Sequence, residues 1–195
     1  MTQTLPQLLE EIRACRHCAA DLPCGPRPVL QAGRSARLCI VGQAPGRKVH
    51  ESGIPWGDAS GERLRDWLGL ASAQFYDPRK VAIVPMGFCY PGKAGSGDQA
   101  PRPECAPLWH GKLHAHLRQV ELTLLIGQYA QARYLGDRRK ATLSDTVKAW
   151  REYLPQGQLP LPHPSPRNQP WLAKNRWFEA ELVPALRDTV RALDL

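Results

Sequence analysis

Three short segments bring together side chains that could do chemistry. His163 stands in Pro162-His163-Pro164-Ser165-Pro166-Arg167-Asn168. Prolines on both sides remove backbone donors and stiffen the loop that presents the imidazole, as suits a ring that must hold one orientation; an isolated histidine can equally be structural. Gly42-Gln43-Ala44-Pro45-Gly46 is either a tight turn needing unusual backbone angles or the rim of a site. It lacks the Gly-Lys-Ser/Thr of a phosphate loop and does not match the dinucleotide fingerprint. The third segment, Gly53-Ile54-Pro55-Trp56-Gly57-Asp58-Ala59-Ser60-Gly61, offers an aromatic ring and a carboxylate. Trp56 can be a core plug or a stacking platform for a planar ring, and Asp58 a helix-entry residue or a base that orients water. Glu51 is the rival carboxylate.

These segments need elements to hold them. Leu5, Leu8, Leu9 and Ile12 fall on one helical face, predicting a helix near 6–14. Apolar runs predict strands at 36–41, 81–84, 122–126 and around Leu159 and Leu161. Helices are expected over 60–70, with Ser60 as N-cap, from Cys105 onward, over 128–135, and over 171–178 and 182–193. The glycine- and proline-rich stretch 91–103 reads as a flexible functional loop. Strands alternating with helices predict an α/β fold: one domain, 1–195, with an open, mainly parallel four-stranded sheet and helices on both faces. Ligands bind such sheets outside the carboxyl ends of the strands, so the loops after the first, second and fourth strands should share one cleft.

Composition bounds the function class. The chain has 195 residues, 43% hydrophobic and 23% charged, enough to bury a core without disulfides and too ordinary for global disorder. No apolar run reaches membrane-spanning length and the N-terminus does not read as a secretion signal, so a cytoplasmic protein with no membrane partner is expected. The net charge of +8 comes mostly from 19 Arg against 7 Lys. Arginine forks suit phosphates, which makes nucleic acid a candidate partner, although genome composition alone produces such a bias. Six cysteines in a reducing compartment favour metal binding or packing over disulfides.

In order and spacing, these motifs resemble the uracil-DNA glycosylase superfamily over nearly the whole chain. Gly42–Gly46 after a strand is similar to its first motif, His163–Asn168 to its second, and Ile126-Gly127-Gln128-Tyr129-Ala130 to its strand-glycine element. Cys15 and Cys18, with Cys89 and Cys105, resemble the four-ligand pattern of the iron-sulfur glycosylases of families four and five, which implies a 4Fe-4S cluster. Soft thiolates suit such a cluster; zinc at the same positions, or no metal, are the alternatives. Cys24 is an additional thiol nearby, and Cys39 is expected in the core.

What the resemblance implies is a DNA repair enzyme that flips out and hydrolyses uracil, or another deaminated base, acting as a monomer on DNA at the nucleoid. Gly42, Gln43, Ala44, Pro45 and Trp56 would form the base pocket, and Ser165, Arg167 and Asn168 would meet DNA, with Arg167 entering the gap left by the flipped base. His163 would hydrogen-bond the leaving base. The first motif holds Gln43 and Ala44 where the best-known relatives carry a carboxylate, but Gly-Asp-Ala-Ser-Gly resembles the family-five stretch in which aspartate activates water, so Asp58 inherits that role. Family four reads uracil with an asparagine where this chain has Pro85. The alternative function is a damaged-DNA binding protein on the same fold with weak or no turnover. An RNA-binding protein stabilised by zinc is disfavoured, because nothing resembles an aromatic RNA-stacking sheet.

Overall fold

The computed structural model describes residues 3–195. Its centre is β1 (Leu38–Val41), whose four residues are all buried. Burial on both faces of a strand means helices on both sides of its sheet. The sheet has the order β2 (Val81–Ile83), β1, β5 (Leu122–Ile126), β6 (Gln158–Leu161), with every pair parallel. Leu38 aligns with both Val81 and Leu122, so the strands finish level and their following loops emerge on one side. Pro160, which has no N–H to donate, is tolerated because β6 lies at an edge. The other edge is shielded: Gln31 pairs with Ile83 in a short antiparallel bridge.

Strand alternation divides the core in two. Leu38 and Ile40 face α3 (Ala59–Leu68) and α10 (Val183–Ala192) through Leu64, Trp67, Leu186 and Val190, in one cluster. Cys39 and Val41 face α1 (Leu5–Arg13), α5 (Cys105–His114) and α6 (Gln128–Leu135) in the other. The expected α/β architecture and its four-stranded parallel sheet are therefore present.

Several boundaries differ from expectation for identifiable reasons. Ser60 is not the N-cap of α3; Asp58 is, with Oδ1 accepting from Gly61 N at 3.0 Å, and the helix stops at Gly69 in the left-handed region rather than at Leu70. The stretch 91–103 is not without structure: β3 (Lys93–Ala94) and β4 (Gly97–Asp98) form an antiparallel hairpin turned at Gly95, whose φ is 57°. The helix expected over 171–178 is α9 (Gln169–Lys174), and a π-helical turn at Phe178–Leu182 leads into α10, where Pro184 has no N–H to continue α-helical bonding. Four unanticipated helices, α2 (Arg47–Ser52), α4 (Ser72–Phe75), α7 (Leu143–Lys148) and α8 (Trp150–Tyr153), are too short to display a helical period. No helix among the described residues is long and apolar enough to cross a membrane.

Candidate active site

A cleft of about 450 Å³ opens where β1, β2 and β6 end, and Gly42–Gly46, Trp56, Asp58, Pro85 and His163 all line it. The loop after β1 is stiffened by prolongation of the strand pairing. Met86 N donates to the Gly42 carbonyl and Gly87 N to that of Gln43, each at 2.9 Å. Gln43 Nε2 reaches the hairpin and donates to the Gln99 carbonyl at 3.2 Å, leaving its oxygen for a ligand. Neither glycine of this loop has a positive φ, so unusual backbone angles do not explain them. Gly42 is explained by approach: a Cβ there would sit 2.8 Å from the Trp56 ring.

The loop after β6 is held by its own polar groups. Ser165 N donates to His163 Nδ1 at 3.2 Å, Asn168 Nδ2 to the His163 carbonyl at 2.7 Å, and Arg167 N to Ser165 Oγ at 3.2 Å. From α3, Arg63 donates to the Ser165 carbonyl at 3.3 Å and to Gln169 Oε1 at 3.1 Å. Because Nδ1 accepts, a neutral His163 carries its proton on Nε2, free to donate. Burial lowers the His163 pKa, only partly opposed by the nearby Asp58 carboxylate, so the ring is neutral at pH 7. Ser165 and Asn168 line the cleft with part of their hydrogen-bonding capacity already used inside this loop.

Trp56 carries the most strained backbone near the site, with φ at 55° for a bulky residue. Such strain costs on the order of 1–3 kcal/mol and persists where the surroundings over-determine it. Its indole lies 5.5 Å from the His163 ring centre with the planes 34° apart, lining the cleft while its inner edge packs on the core. Gly61 is glycine for the same reason as Gly42: a Cβ would lie 1.7 Å from the Trp56 carbonyl oxygen.

Asp58 combines its two sequence readings. One oxygen caps α3 while the residue lines the cleft beside His163. Glu51, its rival, is exposed, ion-paired to Arg47 at 2.8 Å and outside the cleft. Arg167 is exposed at the cleft rim, its guanidinium close to Gly97 of the hairpin. Sequence reasoning missed Asp98, a further carboxylate that the hairpin brings to the cleft. The Gly95-Ser96-Gly97-Asp98 run was the available signal, being turn chemistry between two paired residues on either side.

Against the core cluster that holds α1 and α5, Cys15, Cys18, Cys89 and Cys105 line one small cavity with Leu22, Phe88 and Trp109. All are free thiols, Cys39 is buried in β1, and exposed Cys24 does not line the cavity. Burial pushes the Cys89 thiol up to about 11 and Cys105 to about 12, and raises Cys18 as well; the neighbouring sulfurs add to each rise. Phe88 N–H points at Cys105 Sγ, 3.4 Å away. Among the described residues no three His, Cys, Asp or Glu side chains converge on a single-ion site.

The fold and cleft together define an α/β protein with an open cleft at the carboxyl ends of parallel strands, lined by an aromatic ring and a neutral imidazole. A model of the uracil DNA glycosylase superfamily matches residues 30–187, and the chain belongs to that family. The match takes in every cleft-lining residue named above, and Cys89 and Cys105 of the second cavity, whereas Cys15 and Cys18 precede it.

Proposed function

We propose that this member of the superfamily hydrolyses the N-glycosidic bond of uracil, and of other deaminated bases, in DNA. The observation that carries the reading is His163: a neutral ring whose Nδ1 is occupied by Ser165 N, leaving the Nε2 proton for the cleft. The flipped base would stack on Trp56, with Gly42, Gln43, Ala44 and Pro45 along its edge. As the bond from C1′ to the base nitrogen breaks, the departing base takes the bonding electrons, and His163 Nε2–H would stabilise the charge on its oxygen. Asp58 would stabilise the cationic sugar and accept the proton of the water that adds to C1′. Ser165, Arg167 and Asn168 would contact the strand, Arg167 filling the vacated space, and one chain suffices because all these residues belong to it. Pro85 has no side-chain amide to read a base edge, which favours acceptance of several bases over strict uracil selectivity. Measuring release of uracil, hypoxanthine, xanthine and thymine from matched duplexes tests this; no release of any base by wild-type protein sinks it.

A damaged-DNA binding role without turnover is the second reading, favoured by two observations: Asp58 is partly engaged as a helix cap, and Gln43-Ala44 supplies no carboxylate. Tight binding to uracil-containing DNA without base release would select it.

The donor set at the second cavity fits a 4Fe-4S cluster. Four thiols from three chain segments surround one largely apolar space, and a backbone N–H is directed at a sulfur. Cys15, Cys18, Cys89 and Cys105 would hold it, and when bound it would supply a cross-link rather than a redox step. Iron and sulfide content after anaerobic purification tests the assignment, and stoichiometric zinc would replace it.

A further inference from the structure

The strained backbone of Trp56 is over-determined by two side chains outside the cleft. Arg65 Nη1 donates to the Trp56 carbonyl at 3.2 Å and to Tyr76 Oη at 3.0 Å, and Tyr76 Oη donates to the same carbonyl at 3.3 Å. The Arg65 guanidinium is packed against aromatic faces, 5.5 Å from the ring centres of both Phe75 and Tyr76. Among the described residues it forms no ion pair, although ten such pairs are found elsewhere in the molecule. A half-buried arginine is thus committed to a carbonyl and a phenol oxygen rather than to a carboxylate. The carbonyl belongs to the residue whose φ is 55° and whose ring occupies the space left by Gly42.

We propose that Arg65 and Tyr76 are positioning residues that hold the Trp56 indole in the cleft wall, 5.5 Å from the His163 ring. The proposal rests on the glycosylase reading only for its catalytic consequence. Tyr76 keeps the carbonyl turned away from the cleft, and Arg65 locks Tyr76 in place. Without them the Trp56 backbone relaxes out of the left-handed region and the ring leaves Gly42.

The test is a double-mutant cycle of Arg65→Met and Trp56→Ala, read as single-turnover release of uracil at saturating duplex. Misplacing a group that orients a reactant costs about 100-fold, so Arg65→Met should slow release about 10- to 100-fold with affinity for undamaged duplex unchanged. In the Trp56→Ala background it should cost nothing further; slowing factors that simply multiply overturn the proposal. A second readout does not need catalysis: the emission of Trp56, taken as wild type minus Trp56→Phe, should shift when measured again in the Arg65→Met background. An unchanged Trp56 contribution overturns the proposal even if the protein releases no base, whereas a shifted one sustains it while the glycosylase reading fails by itself. Should Arg65→Met not fold, Tyr76→Phe removes one hydrogen bond and keeps the ring. It should slow release several-fold and shift the same emission, and neither change occurring refutes the role.

Discussion

The cleft, at the carboxyl ends of the strands, and the four-cysteine cavity, beside α1 and α5, are built on opposite principles. In the cleft, three polar side chains are set by hydrogen bonds already made: His163 by Ser165 N, Asp58 by Gly61 N, Gln43 by the Gln99 carbonyl. In the cavity, the thiols are packed among apolar side chains, and burial holds Cys89 and Cys105 protonated well above neutral pH. On the proposed reading, the first arrangement would act without rearrangement, as catalysis by electrostatic preorganisation requires. The second would be a set of ligands whose charge is unfavourable until something replaces the protons. Chemistry and cross-linking would thereby be separated, and the two regions should fail in different ways.

The largest effect expected is on the cleft alone. His163→Ala should slow base release about 100- to 1,000-fold, the usual cost of one positioned donor, and Asp58→Asn should follow it, with DNA affinity retained in each. Single-turnover kinetics beside equilibrium binding checks both. Parallel loss of affinity and rate would erase the distinction between catalysis and binding.

Replacing Cys89 or Cys105 by Ala should act in the opposite sense. Melting temperature and bound iron should fall, while the rate per folded molecule, measured below the transition, changes little. A folded cysteine variant with the rate loss of His163→Ala would break the separation.

Gly61→Ala sharpens the same contrast from within the fold. Its Cβ would meet the Trp56 carbonyl, so α3 or Trp56 must move. Stability should drop by a few kcal/mol, as overpacking typically costs about 1–3 kcal/mol, and base release should slow with it. Denaturant unfolding together with single-turnover kinetics reads both.

Acid should weaken the fold through a third site. His110 is held neutral by burial, its pKa pushed down to about 4, with Nε2 against the Pro85 carbonyl at 3.0 Å and Nδ1 against Tyr134 Oη at 2.8 Å. His114 and His163 are lowered in the same direction, also chiefly by burial. The unfolded imidazole binds a proton that the folded one refuses, so the contribution is fully present above pH 6.5. It is lost as pH falls from there through about 4, a change on the order of 3 kcal/mol for His110 by linkage. Urea unfolding across that range should show it, and His110→Gln should flatten the profile.

The smallest effect belongs to Glu51→Gln, which should leave excision near wild type because Glu51 faces solvent beside Arg47. A dead Glu51→Gln would transfer the working carboxylate away from Asp58.

The sequence alone determined the strand and helix order, because apolar runs and helical spacing report burial directly, and it located both cleft loops, because proline and glycine clusters at strand ends leave few alternatives. Asp58, Trp56 and His163 were visible as residue types. Whether they met was a question of parallel strands finishing level, and only the tertiary structure decided that. It also placed Asp58 in the cleft and Glu51 in water, although the two are only seven residues apart in the chain. Asp98 was signalled only by the turn chemistry beside it, since a two-residue strand has no period, and the Arg65–Tyr76 brace not at all, since an arginine's partner can lie anywhere. The glycines make the same point. Their sequence positions suggest backbone freedom, whereas Gly42 and Gly61 are glycine because the ring and the carbonyl of Trp56 occupy the space where a Cβ would stand.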